Sequence, residues 1–497
     1  MPALSIDVFR PLIGDERYTR LAASARLSRS LLADNIVWNL NSTASGGGVA
    51  EMLHVLVGYV RGSGIDSHWI VIDGTPEFFA ITKRVHNRIH GMQGDSGMLG
   101  RTEATNYSNV SASNVAAFRH RVRPGDIVLL HDPQTAGMAS SLHDLGVTVV
   151  WRSHIGSEKM NAWTEEAWEF LRPHLSACDA FVFSRAAYVP TWVPAERVSI
   201  IPPSIDPFSP KNQPLPDGDL HLFLARIGLT AGTANRPATF RRRDGAIGEV
   251  VRRAGIVASS QIAEPFANLV VQVSRWDRLK DMQGVMTGFA SAVVGRVDAQ
   301  LLLVGPSIDG VADDPEGAEV LAECIATWES LPTDSRSRVR LVTLPMDDVD
   351  ENAVMVNALQ RSATVIVQKS LAEGFGLTVA EGMWKGKPIV ASRVGGIVDQ
   401  VPPDTGILLD DPTDLEAYGE SLAALLERPD EVRWRGDNAR RHVLNEFVGD
   451  RHLMQYANLL QQLRSPGGSE RWGHRTGAHP QALASRAPAV PHEFVWY

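Results

Sequence analysis

Short, almost uniformly apolar runs recur along the chain, separated by stretches whose hydrophobic positions return every three or four residues. IVWNL (36–40), HWIVI (68–72), DIVLL (126–130), VTVVW (147–151), AFVFS (180–184) and VSIIP (198–202) read as strands, with helical patterns at 48–61, 76–90 and 160–176. A second block repeats the alternation with NLVVQVS (268–274), AQLLLVG (299–305), VRLVTLP (339–345), TVIVQKS (364–370) and PIVAS (388–392). Strands that are apolar on both sides and alternate with helices belong in parallel sheets covered on both faces. The pattern therefore predicts an α/β protein of two Rossmann-like domains. Residues 1–205 form the first domain and 263–449 the second, with 206–262 as the connection. That connection holds Pro207, Pro210, Pro214, Pro216 and the run Arg241-Arg242-Arg243, its periodicity is weak, and a helix or two is expected inside it. A helix over 450–464 is expected to pack back onto the first domain, and the Gly/Pro/Ser-rich 465–497 reads as an irregular tail.

Composition narrows the function. The chain has 497 residues, 44% of them hydrophobic, and 48 Lys+Arg against 57 Asp+Glu give a net charge of −9. Wholesale disorder, collagen and coiled coil are excluded. An acidic chain has no global attraction for nucleic acid or for an anionic membrane, so neither is expected as a partner and any anionic ligand must be held locally. No uncharged apolar stretch reaches the length of a membrane-spanning helix, and Asp7, Asp15 and Glu16 interrupt the N-terminus before any signal-like run. Cys178 and Cys324 are the only cysteines, which predicts no disulfide framework and fits a cytoplasmic protein.

Candidate chemistry gathers where strands end. After TVIVQKS, Glu373-Gly374-Phe375-Gly376 makes a glycine-rich loop, and a helix opens at Leu377 with Glu381 one turn in. Free amides at a helix start suit a phosphate or sugar oxygen, and a carboxylate one turn later can reach paired hydroxyls. The same spacing also describes an ordinary capped strand–loop–helix connection. Arg275 and Lys280 follow NLVVQVS at the carboxyl edge of the sheet, where a guanidinium fork and a point charge could clamp a diphosphate or simply be solvated. In the first block, Gly46-Gly47-Gly48 follows IVWNL without dinucleotide-fingerprint spacing, while His131-Asp132 and His154 end neighbouring strands. Of the D-x-D strings, Asp217-Gly218-Asp219 lies in the connection and Asp348-Val349-Asp350 reads as a capped helix start after VRLVTLP, and Asn87 stands where a zinc protease would need glutamate between His86 and His90. No metal site is expected.

Residues 370–392 carry the E-x7-E signature, Glu373 to Glu381, and resemble the retaining glycosyltransferases of family 4. The set GGGVAE (46–51), HDPQ (131–134), WRSHI (151–155) and PPSIDPFSPKN (202–212) is more narrowly similar to the trehalose glycosyltransferring synthases. The resemblance covers most of 36–464. It implies a GT-B fold with a cleft between an N-terminal acceptor domain and a C-terminal nucleotide-sugar domain. It also implies a retaining, reversible transfer of glucose from a nucleoside-diphosphate glucose, UDP- or ADP-linked, to free glucose, giving α,α-trehalose. No further cofactor is implied, and a homodimer is compatible with it. Arg275, Lys280, Glu373 and His154 would serve the reaction. Gly47, Gly48, Gly374, Phe375, Gly376, Leu377 and Glu381 would bind the donor, and His131 and Asp132 the acceptor. Trp276, Arg278 and Leu279 depart from the family pattern around the arginine. The motifs leave open a trehalose phosphorylase or a non-catalytic nucleotide-sugar binding protein.

Overall fold

A computed structural model describes residues 2–44, 48–230, 236–258, 268–308 and 315–464. The first sheet contains β1 (Val37–Asn41), β2 (Ser67–Val71), β3 (Ile127–His131), β4 (Thr148–Ser153), β5 (Ala180–Phe183) and β6 (Val198–Ile200) in the order β2-β1-β3-β4-β5-β6. Every pairing in it is parallel. All five residues of β1 and of β3 are buried, the outcome expected of apolar runs covered by helices on both faces.

The connection contains a helix, as expected, and three strands that its weak periodicity does not suggest. It holds a helix, Asp217–Arg226, and a hairpin of β7 (Thr239–Arg241) and β8 (Ile247–Glu249). From it also comes β9 (Gly255–Ala258), which joins the second sheet antiparallel to β12. That sheet comprises β9 with β10 (Leu269–Val273), β11 (Gln300–Pro306), β12 (Val339–Leu344), β13 (Val365–Gln368), β14 (Ile389–Ser392) and β15 (Gly406–Leu409). Its order is β15-β14-β13-β10-β11-β12-β9.

Each sheet reverses direction at one point, between β1 and β3 in the first and between β10 and β13 in the second. Connections leave such a point to opposite sides and open a crevice at the carboxyl ends of the strands. The loops carrying Gly48 and His131 flank the first crevice, and those carrying Lys280 and Glu373 flank the second.

Six helices matter below: α1 (Arg10–Leu31), α2 (Gly48–Gly62), α3 (Pro76–Ile89), α4 (Val349–Ser362), α5 (Leu377–Trp384) and α6 (Gly449–Arg464). The last returns to the first sheet, where Tyr456, Leu459 and Leu460 share a core with Val37, Ile127, Val150 and Val182. Arg17 of α1 forms a two-pronged ion pair with the buried Asp450, with contacts of 2.5 and 2.8 Å. The chain thus crosses between the domains twice, and the crossings lie side by side: Ile205 pairs with Val448, and its N–H donates to the Phe447 carbonyl at 2.8 Å. Among the described residues no helix is long and apolar enough to cross a membrane. Gly46, Gly47 and the 465–497 tail lie outside the described residues.

Candidate active site

Beyond β10 the chain turns sharply, and Asp277 organises the turn. Its carboxylate accepts the Leu279 amide at 2.8 Å and Arg275 Nη2 at 2.9 Å, while Gln272 holds the Lys280 carbonyl at 2.8 Å. Lys280 is left pointing across the crevice, its Nζ 2.5 Å from Glu373 Oε2. Both side chains are 14% exposed, whereas Arg275 is 62% exposed at the mouth. The Glu373–Gly376 loop ends in the left-handed conformation at Gly376 (φ 81°, ψ 59°), which a side chain would disfavour, and α5 starts there with no side chain capping its first amides. Gly396 N–H donates to the Gly374 carbonyl at 3.1 Å. A Cβ on Gly395 would lie 1.7 Å from the Glu373 carbonyl oxygen, so the Glu373–Gly376 loop rests directly on this turn.

Glu381 lies on α5, 4% exposed. Lys211 Nζ sits 3.2 Å from its Oε1, and Oε2 is buried with no hydrogen-bond partner among the described residues. A cleft of about 600 Å³, open to solvent, borders it and is lined by Glu51, Tyr59, Asp206, Arg243, Leu377 and His452.

The first sheet supplies the opposing wall. A Cβ on Gly48 would come 3.3 Å from Leu377 Cδ1, so the starts of α2 and α5 face each other. His154 is braced on several sides: its N–H donates to Asp132 Oδ1 at 2.7 Å, its Nδ1 lies 3.4 Å from Arg152 Nε, and its Nε2 lies 3.0 Å from His131 Nδ1. Because arginine can only donate, the consistent assignment is a relay of neutral rings. Arg152 donates to His154 Nδ1, His154 Nε2–H to His131 Nδ1, and His131 Nε2–H to Asn39 Oδ1 at 3.2 Å. His131 is fully buried and Asp132 nearly so, with His131 Nδ1 and Asp132 Oδ1 turned to His154. Asp132 adopts φ 63°, a left-handed conformation uncommon for a non-glycine residue, and holds it at a strand end. The walls meet at Gly374, whose carbonyl accepts from Tyr188 Oη at 2.6 Å and where a Cβ would lie 3.5 Å from the His154 carbonyl and 3.6 Å from His90 Cε1.

The structure thus brings Lys280 to Glu373, Gly48 to Leu377, and His154 to Gly374, with Arg275 at the rim. Sequence reasoning did not select Glu51, His90, Tyr188, Lys211 or Gly395. His86 and His90 did carry a signal, two imidazoles four residues apart on α3, but were considered only as metal ligands. Their charge environment ties them to this crevice, since His90 interacts with Glu373 and Lys280, and His86 with Arg275. Among the described residues no group of three His, Cys, Asp or Glu is arranged to hold a metal. Asp348 caps α4 by accepting from Asp350 and Glu351 N–H, both at 3.1 Å, and pairs with Arg242.

Burial decides the protonation of the relay. It lowers His131 to about 3, with Arg152 adding to the effect, and lowers His90 to about 4. Burial likewise pushes His154 and His452 well below the ordinary imidazole range, and raises Asp132 to about 7. Each histidine is neutral when folded, so between its folded pKa and the ordinary 6.5 the unfolded chain binds more protons and stability falls with acidification. Asp132 acts oppositely: its contribution is fully present below 3.8 and is lost as pH rises through about 7. Asp206, Glu381 and Asp450 are raised by burial as well, but seven lowered histidines (His86, His90, His131, His154, His174, His442 and His452) outnumber these four carboxyls, so the melting temperature should fall as pH drops from 6.5 towards 4. Asp132→Asn should steepen that fall by about one proton. Calorimetry across this range checks both, and a flat wild-type profile would contradict the neutral relay.

Comparison with known proteins agrees with this architecture. Residues 39–190 match the family "Trehalose synthase, N-terminal domain", and residues 351–442 match "Glycosyl transferases group 1". Trehalose synthase of Thermococcus litoralis is 33% identical, covering 92% of this chain and 96% of its own. Trehalose phosphorylase of Pleurotus sajor-caju is 26% identical over 84% of this chain but only 57% of its own length. An E. coli structure described as trehalose-6-phosphate bound with UDP-2-fluoro glucose superposes with a TM-score of 0.62 at 13% identity, covering 87% of this chain and 99% of that one. At that identity it speaks to the fold alone. Two Rossmann-like domains facing across a crevice, and a full-length relative at 33% identity, establish that the chain belongs to the trehalose synthase family of GT-B glycosyltransferases.

Proposed function

We propose that this glycosyltransferase makes α,α-trehalose by transferring glucose, with retention, from a nucleoside-diphosphate glucose to free glucose. The observation that carries the reading is the Lys280–Glu373 contact at the second crevice, set beside the uncapped first amides of α5 and faced by Gly48. A cation and a helix start stabilise the diphosphate as it departs, and Arg275 at the rim adds a second positive charge. Glu373 and the amides of Gly374, Phe375 and Gly376 hold hydroxyls of the donor glucose, and Glu381 takes the ribose. His131 and Asp132, turned to His154, set the wall beside which the acceptor binds. UDP- and ADP-glucose both fit this arrangement.

Both glutamates are thereby engaged in recognition, so neither is free to act as the paired carboxylates of a glycosidase. The chemistry is a front-face displacement. The acceptor's anomeric hydroxyl attacks donor C1 on the side the diphosphate leaves, and its proton passes to the departing phosphate oxygen. Fixed donors aimed at the growing negative charge are the main source of rate, because they need no reorganisation as the charge develops. Contact of the two walls at Gly374 excludes water that would otherwise hydrolyse the donor.

Glucose incubated with UDP- or ADP-glucose in excess chelator should yield α,α-trehalose and the free nucleoside diphosphate, with the anomeric configuration read by NMR. In reverse, trehalose should release glucose with the nucleoside diphosphate and not with inorganic phosphate. Phosphate-dependent release would replace the reading with phosphorolysis. Donor binding without turnover would make the chain a binding protein.

A further inference from the structure

The nucleotide side of the cleft contains an arrangement that neither sheet accounts for. Lys211 comes from the connection, yet its ammonium stands between one carboxylate from each domain, 3.1 Å from Glu51 Oε2 on α2 and 3.2 Å from Glu381 Oε1 on α5. Its position is set by its neighbour Asn212. The Asn212 side chain donates to the Asp206 carbonyl at 3.0 Å and accepts from Lys385 Nζ at 2.9 Å, and its carbonyl accepts from Trp384 Nε1 at 3.1 Å. Arg243, from the turn of the β7–β8 hairpin, approaches Glu51 from the other side at 3.7 Å while pairing with Asp350 at 3.0 Å.

These contacts define what each oxygen of Glu381 can do. Oε1 is fixed by Lys211, and Oε2 is buried, unpartnered among the described residues, and beside the cleft. A buried carboxylate oxygen without a donor is costly, and a ligand hydroxyl would satisfy it. Burial, with the Glu51 charge adding to it, pushes the Glu381 pKa upward, and Lys211 foremost, then Lys385, work against that. Burial also works against the Lys211 ammonium, but the two carboxylates outweigh it and keep the lysine charged.

We propose that Lys211, held by Asn212 and shared with Glu51, is a positioning residue that fixes Glu381 Oε1 and so turns its Oε2 to the donor's ribose hydroxyls. This rests on the assignment of Glu381 to the ribose. The lysine touches Glu381 and not the reacting atoms, so its loss shows in affinity and in ribose discrimination rather than in the chemical step.

The test is calorimetric titration of the whole protein with UDP and ADP, and with their 2′,3′-dideoxy forms, for the wild type, Lys211→Met and Lys211→Arg. Wild type should bind the ribose form about tenfold or more tightly than the dideoxy form, as expected for hydroxyls donating to a charged acceptor. In Lys211→Met the ratio should fall below about threefold, with kcat at saturating donor little changed. Lys211→Arg should restore most of the discrimination. If Lys211→Met does not fold, Lys211→Gln, which keeps a donor without the charge, should show the same reduced ratio. Undiminished discrimination in folded Lys211→Met or Lys211→Gln overturns the role of Lys211 and leaves Glu381 in place. Wild-type protein indifferent to the ribose hydroxyls overturns the Glu381 assignment, and this proposal with it.

Discussion

Replacing Lys280 by alanine should lower kcat by about 10²–10³-fold, the range for removing one pre-set group that stabilises developing charge. Two losses combine in this substitution. The departing diphosphate loses a cation held in place by the Gln272 bond and the Asp277 turn. Glu373, largely buried, loses its ion partner at 2.5 Å and keeps a 3.4 Å contact with Ser370 Oγ. A carboxylate left that way repels the phosphate it formerly faced through the lysine. Arg275→Ala should cost less, because a side chain 62% exposed is screened by water and starts farther from its task. Steady-state rates at saturating donor and acceptor, with circular dichroism to show the fold retained, test this. A Lys280→Ala rate within threefold of wild type would remove Lys280 from the mechanism.

Gly395→Ala should reduce kcat/KM by about 10²-fold, the loss expected when a reacting group is displaced by about 1 Å. The new methyl would sit 1.7 Å from the Glu373 carbonyl oxygen and 2.9 Å from Tyr188 Oη, at φ 52°. The first obstacle is backbone and cannot rotate away, so the loop carrying Glu373 and Gly374 must move, and with it the junction between the two domains. Gly295→Ala is the matched control. It also has positive φ, 85°, but nothing within 4 Å, so it should cost about 1–2 kcal/mol of stability through backbone strain and leave activity intact. Equal activity in the two variants would show that the 395 turn does not position the donor loop.

The parts of this protein legible in the sequence are those where one segment specifies its own structure. Val37–Asn41 and Ile127–His131 are buried on both faces and are therefore apolar at nearly every position, so they stand out from their surroundings. Gly255–Ala258 did not, because an antiparallel edge strand with alternating exposure, only four residues long, resembles a loop. Helix α1 was also hidden: Leu21 and Ser28 are its only fully buried positions, so it has almost no apolar stripe, and α6 holds it largely through polar contacts such as Arg17 to Asp450. The same division runs through the site. Glu373, Gly376 and Glu381 form a local pattern whose spacing carries meaning. The relation of Gly395 to Glu373, of His90 to Gly374, or of Lys211 to both Glu51 and Glu381 exists only after distant segments meet, and no spacing along the chain encodes it.

The return of α6 to the first sheet has a consequence for how the molecule is made. A ribosome delivers all of β1 to β6 before any of the second sheet, yet the core beneath them stays incomplete until Tyr456, Leu459 and Leu460 emerge. The second sheet is complete once Leu409 has been synthesised. The domain begun first is therefore finished last, and its exposed apolar surface must wait through the synthesis and folding of its neighbour. In a nascent chain, the site described above becomes competent only with the final turns of helix.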